Sequence, residues 1–154
     1  MDTLATVLTP ACIRLDLRAA SMRQVLDEAA RLLAAQHGLR ADEVAAALWE
    51  REQLASTALG QGVALPHARI KGLREPHAAY LRLAPPLAFD APDDRPVSDV
   101  FVLLVPERAN ERHLQLLAAI AEMFAEPAFR DGLHRQGSAA GVYQSFVDWP
   151  AIVA

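Results

Sequence analysis

The chain has one cysteine, Cys12, and one lysine, Lys71. A lone cysteine excludes an internal disulfide and a cysteine-rich metal site. Basic residues do not predominate: 15 Lys and Arg face 19 Asp and Glu, a net charge of −4. That balance argues against a general nucleic-acid binder, which needs a basic face. No apolar run approaches the roughly 20 residues that span a bilayer, so no membrane insertion is expected. Asp2 stands where the cationic start of a secretory signal would lie, and a cytoplasmic protein is expected. No histidine pair has H-E-x-x-H zinc spacing, and no metal or cofactor is called for. The Walker A lysine motif, the Rossmann glycine fingerprint and the G-x-S-x-G elbow are all missing.

What is there reads as one domain over residues 1–154, large enough to bury a core without a disulfide or a metal. Cys12 to Leu17 alternates as a short half-buried strand. Ser21 to Gln24 has a capping-box pattern, and Met22, Val25, Leu26, Ala29, Leu32 and Leu33 follow at helical spacing up to Gly38. A second helix is expected from about Asp42 to about Leu54, then a turn from Ser56 to Gly62 and a strand at Val63–Leu65. Ala78 to Leu83 predicts a strand. Ala84 to Pro96, with four prolines, predicts a loop pinned by Leu87 and Phe89. Val100 to Val105 is unbroken apolar sequence, the mark of a central strand buried on both faces. Asn110 should cap a third helix, Pro127 should open a fourth, and Val142 to Val147 suggests a last one. The fold class is α/β (α+β): a mixed β-sheet flanked by helices on both faces.

The most informative stretch is Gly60-Gln61-Gly62-Val63-Ala64-Leu65-Pro66-His67. Pro66 holds its own φ and pushes Leu65 toward an extended conformation, so His67 is presented from a stiff ledge. A neutral imidazole there is a ready nucleophile or general base. Arg51 continues the apolar stripe of Val44 and Leu48, where a cation needs a partner or an anionic ligand. His113 opens the apolar face of the third helix, at the positive end of its dipole, which favours a neutral ring and suits an anion. Each of the three has an ordinary structural explanation alone. Together they would form a phosphoryl-transfer site: His67 as nucleophile, Arg51 as a charge-assisted fork, His113 as a hydrogen-bonding neighbour. Ser56 and Thr57 would add neutral donors. Which ring nitrogen of His67 reacts depends on what holds the other. Without an ATP motif, the expected phosphoryl donor is another protein.

Arg51-Glu52, Ser56-Thr57 and Leu59 through His67 resemble the signature of the fructose/mannitol-type IIA domains of the bacterial phosphoenolpyruvate-dependent phosphotransferase system. The resemblance continues through Pro86 to Asp90, Pro96-Val97, Val102 to Pro106 and His113-Leu114, nearly the whole chain in order. It is nearest to the stand-alone nitrogen-regulatory type. It implies a mixed sheet flanked by helices, with His67 phosphorylated by a small histidine phosphocarrier, either HPr or its nitrogen-type counterpart NPr. His113 and Arg51 would match the family's second active-site histidine and its phosphoryl-holding arginine. The regulated target would be a protein such as a potassium transporter or a sensor kinase. The docking surface for the carrier is expected to be an apolar ring of Leu59, Leu65 and Ile70. Ala58 and Ala68 stand where glycine is common, and the segment Ala91 to Arg95 lacks a glycine often present. Three rivals remain at this level: a sugar-specific IIA enzyme serving a IIB partner, a non-phosphorylated interaction domain, and a metal-dependent hydrolase.

Overall fold

The computed structural model describes residues 4–88, 91–108 and 110–153, without the side chains of 150–153. Its strands are β1 (Leu8–Leu17), β2 (Ala58–Gly60), β3 (Val63–Ala64), β4 (His67–Ile70), β5 (His77–Leu87) and β6 (Val97–Pro106). Its helices are α1 (Leu4–Val7), α2 (Met22–His37), α3 (Ala41–Leu54), α4 (Glu111–Ala125), α5 (Pro127–His134) and α6 (Ala139–Val153).

The sheet runs β1-β5-β6-β3-β2, and β4 also pairs with β6. β5 is parallel to β1 and antiparallel to β6, and β3 and β4 both lie parallel to β6 on its other side. The sheet is mixed, as expected. β6 is covered on both faces. Val100, Val102 and Leu104 belong to the core beneath α2 and α3, whereas Phe101, Leu103 and Val105 belong to the core beneath α4, α5 and α6. Such a strand needs apolar residues at every position, which is why Val100 to Val105 shows no alternation. The second core is the aromatic one: Tyr80, Phe101, Phe124, Phe129 and Phe146 meet with ring centroids 5.3–6.5 Å apart, mostly edge to face.

Local chemistry sets the helix ends. The Ser21 hydroxyl accepts from the Gln24 amide at 3.2 Å, the Gln24 side chain accepts from the Ala20 amide, and Gly38 closes α2 at φ 67°. Pro127 opens α5. Other boundaries differ from expectation. α1 and β4 carry too few residues to show a period, and β1 starts at Leu8 rather than Cys12. β5 runs past Ala84 to Leu87, through a cis Ala84–Pro85 bond. Its register with β6 shifts between Arg82 and Leu87, where the prolines need donate no ladder hydrogen bond. Phe89, expected to pin the following loop, lies outside the described residues.

A carboxylate sits in the core. Asp99, fully buried, accepts hydrogen bonds from the Tyr80 hydroxyl and from His134 Nε2 at 2.7 Å. The hydrogen bond to Asp99 raises the His134 pKa above the ordinary 6.5 despite partial burial. On the other side of the sheet, His37 and His77 stack at 3.6 Å, and burial lowers both of their pKa values. The signs oppose. His134 stabilises fully below the ordinary histidine value and loses that contribution as pH rises through its raised pKa. His37 and His77 favour the fold above the ordinary value and oppose it as pH falls toward their lowered ones. Denaturation midpoints measured against pH are therefore expected to peak near the ordinary histidine range. His134→Ala should flatten the alkaline fall and, by leaving Asp99 short of a partner, cost about 2 kcal/mol below it, less than for a wholly buried pair because His134 is half exposed. A variant that keeps the alkaline fall would exclude His134 as its source.

Candidate functional site

β4 is the strand that carries the site. The main chain leaves β3 at Ala64, passes Leu65 and Pro66, and resumes beside β6 with His67 opposite Leu103. Pro66 has no N–H, but its carbonyl accepts from the Leu103 amide at 2.9 Å, so the ledge is tied to the central strand. The turn before it needs left-handed backbone. Gly60 and Gly62 have φ of 91° and 78°, and Gln61 between them has φ 58°. Asp93 reaches across and accepts from the Gln61 amide at 2.8 Å, while Arg95 donates to the Gln61 side chain at 2.9 Å. Hydrogen bonds from the Gln61 and Arg95 amides lower the Asp93 pKa. In that loop Asp94 takes a left-handed φ of 56°, which aspartate tolerates better than most residues. Ala58 and Ala68 lie in strands with ordinary φ, so alanine serves as well as glycine there.

His67 is half-buried, and its Nδ1 lies 2.9 Å from the Leu65 carbonyl oxygen. A carbonyl can only accept, so Nδ1 carries the proton and Nε2 presents the lone pair. His113 is fixed the other way. It is buried at the start of α4, where Asn110 and His113 form a capping box. The Asn110 amide donates to His113 Nδ1 at 3.2 Å, so the proton of the neutral ring is on Nε2. The two neutral rings therefore carry their protons on opposite nitrogens, His67 on Nδ1 and His113 on Nε2.

Arg51, His67 and His113 line one cleft of about 490 Å³ at the open edge of β4, with Leu103 and Val105 among its apolar residues. Arg51 Nη1 donates to the Ala55 carbonyl at 2.9 Å, and among the described residues no carboxylate pairs with it. Neither Glu50 nor Glu52, its neighbours in sequence, takes that role; the Glu52 carboxylate goes to Thr57 instead. An adjoining groove is lined by Arg51, Ser56, Leu59, Leu65, His67 and Leu117 among others. Ser56 Oγ accepts from the Ala58 amide at 3.2 Å, which leaves its hydroxyl proton to donate.

Two expectations are corrected. Thr57 is buried, and both its amide (3.0 Å) and its hydroxyl (2.6 Å) donate to the Glu52 carboxylate, so neither is left for a phosphoryl oxygen. Ile70 is 7% exposed and packs in the α2–α3 core, so it offers no docking surface. Leu65 is likewise buried, and only lines the groove. Among the described residues, the exposed large apolar side chains are Leu54, Leu59 and Leu114, and all three border these two clefts. Arg69 was also missed. It shares the His67 face of β4 by strand alternation and lines the same cleft. Leu54 and Leu114 could have been found as apolar residues at helix ends beside the signature residues.

The family model described as phosphoenolpyruvate-dependent sugar phosphotransferase system, EIIA 2, matches residues 6–148. A nitrogen regulatory protein of Pseudomonas aeruginosa is 40% identical over 149 residues, covering 96% of this chain and 97% of that one. The crystal structure of the nitrogen regulatory protein IIA-Ntr from Neisseria meningitidis has a TM-score of 0.88 at 38% identity, over 93% of this chain and 98% of that one. The mannitol IIA enzyme of Escherichia coli, solved in complex with its phosphorylated IIB enzyme, has a TM-score of 0.76 at 17% identity, over 92% of this chain and 99% of that one. At that identity the likeness is one of fold.

Proposed function

Since the chain belongs to the EIIA 2 family of the phosphoenolpyruvate-dependent phosphotransferase system, we propose that it is a phosphoryl relay of the nitrogen-regulatory kind, loaded on His67 Nε2 by a histidine phosphocarrier. The likeness to nitrogen regulatory proteins over nearly the full chain supports the regulatory output. The observation that carries the relay is the pair of opposite tautomers in one cleft. The His67 Nε2 lone pair attacks the phosphorus of the carrier's phosphohistidine. A new N–P bond forms as the carrier's N–P bond breaks, and the electron pair returns to the carrier's ring. No proton has to cross, because Nδ1–H stays hydrogen-bonded to the Leu65 carbonyl, whose partly negative oxygen offsets the positive charge gained by the ring. Arg51, the His113 Nε2–H and the Ser56 hydroxyl are the donors for the phosphoryl oxygens, supplying orientation and charge stabilisation. Leu54, Leu59 and Leu114 form the apolar rim on which the carrier docks. Residues 1–154 act as one such unit, in the cytoplasm.

The test is phosphorylation from phosphoenolpyruvate through enzyme I and each kind of phosphocarrier, read by intact mass. One acid-labile phosphoryl group is expected, delivered faster by the nitrogen-type carrier. A preference for the sugar-type carrier, with onward transfer to a IIB domain, would support the sugar-uptake reading instead. Loading by neither carrier would refute the relay. In the same assay, alanine at Leu54, Leu59 and Leu114 together should raise the carrier concentration needed for half-maximal rate. An unchanged value would reject the apolar rim.

A further inference from the structure

We infer that Glu52 and Thr57 are positioning residues for His67, joined to its ring by a chain of hydrogen bonds that selects the reactive tautomer. This rests on the reading of His67 as the phosphoryl acceptor. The chain begins at the end of α3, where Arg51 and Glu52 hold the connection to β2 by different atoms. Arg51 grips the Ala55 carbonyl, and the Glu52 carboxylate takes both the amide and the hydroxyl of Thr57. The two acceptor oxygens are used separately, Oε2 by the amide and Oε1 by the hydroxyl, so Thr57 is fixed in both backbone and side chain. Its carbonyl then accepts from the Leu65 amide at 3.0 Å. The Leu65 carbonyl in turn accepts from His67 Nδ1 at 2.9 Å. Leu65 precedes Pro66, so its carbonyl belongs to a tertiary amide with no N–H of its own.

The successive bonds lie on different peptide units, and the coupling is therefore one of placement. Glu52 sets Thr57, Thr57 sets Leu65, and Leu65's oxygen decides which ring nitrogen keeps the proton. Without that oxygen in place the imidazole is free to put its proton on Nε2, and a protonated Nε2 has no lone pair with which to attack. Glu52 thus acts on the reaction through other groups, and a buried threonine that cannot reach a phosphoryl oxygen acquires a role.

The experiment is imidazole ¹⁵N NMR on the whole chain, which reports the tautomer of each neutral histidine, beside transfer rates from the loaded phosphocarrier. The parent chain should show His67 with its proton on Nδ1. Glu52→Ala should yield a mixture of tautomers and transfer slower by roughly tenfold to a hundredfold, the scale of a small misplacement of a reacting group. Thr57→Ser, which keeps both donors, should behave as the parent. Glu52→Gln retains the shape with a single acceptor oxygen and should fall between, and it decides the matter should Glu52→Ala not fold. A parent-like tautomer and rate in the Glu52 variants would overturn the inference, and so would a change in melting temperature alone. If the parent chain accepts no phosphoryl group, the relay falls while the spectra still decide the positioning claim.

Discussion

A His67→Ala chain takes up no phosphoryl group from a carrier that loads the parent chain. No other described histidine is placed to replace it. The Nδ1 lone pair of His113 is engaged by the Asn110 amide. His134 Nε2 is bound to the buried Asp99 carboxylate. His37 and His77 are stacked on each other, and their burial lies on the α2 side of the sheet. The fold should survive the change. His67 is half-buried on a strand with one neighbour, and the hydrogen bond it gives up is worth about 0.5–1.5 kcal/mol. Intact mass and a thermal melt, taken on the same sample, separate loss of the nucleophile from loss of structure. A stoichiometric phosphoryl group on the folded variant would move the acceptor elsewhere.

The second large effect is expected at Arg51. Arg51→Ala should slow transfer to His67 by about 10²–10³-fold, as for loss of one donor aimed at developing charge in a water-poor site. Its contribution to stability is small, since the bond it loses is to an exposed carbonyl at a helix end. Arg51→Lys should recover only part of the rate, because an ammonium keeps the charge but not the planar fork that spans two phosphoryl oxygens. Rapid-quench kinetics at saturating carrier make the comparison. A rate within twofold of the parent for Arg51→Ala would remove the arginine from the site.

The parts of this architecture that repeat a simple period were legible beforehand. β6 has apolar residues at six successive positions because two helix layers need them, and that can be read from one segment. The caps at Ser21, Asn110 and Gly38 are local chemistry, and each lies where expected. Arg51, His67 and His113 were marked by residue type set against position, and one cleft brings them together. What escaped was the bookkeeping of donors. Thr57 has a hydroxyl at the right place in the chain, but whether that hydroxyl is available depends on Glu52, five residues away across a helix end. Ile70 escaped for another reason. β4 has only four residues, too few to show alternation, so its inward side went unrecognised. Once His67 is assigned to the cleft face, Ile70 must point away from it.

The cleft around His67 contains Arg51, Arg69 and Glu50, a sum of one positive charge while the imidazole is neutral. A phosphoryl group brings about two negative charges, and the ring that keeps its Nδ1 proton gains one positive charge when Nε2 is bonded. The sum then falls to about zero, so the same opening would lose its positive charge. A partner that presents an acidic contact to the unloaded chain would lose that attraction after loading, and a basic contact would lose the matching repulsion. Because β4 has only β6 beside it, that loss of charge would take place at the rim of the sheet, and the two cores would not need to rearrange to broadcast it.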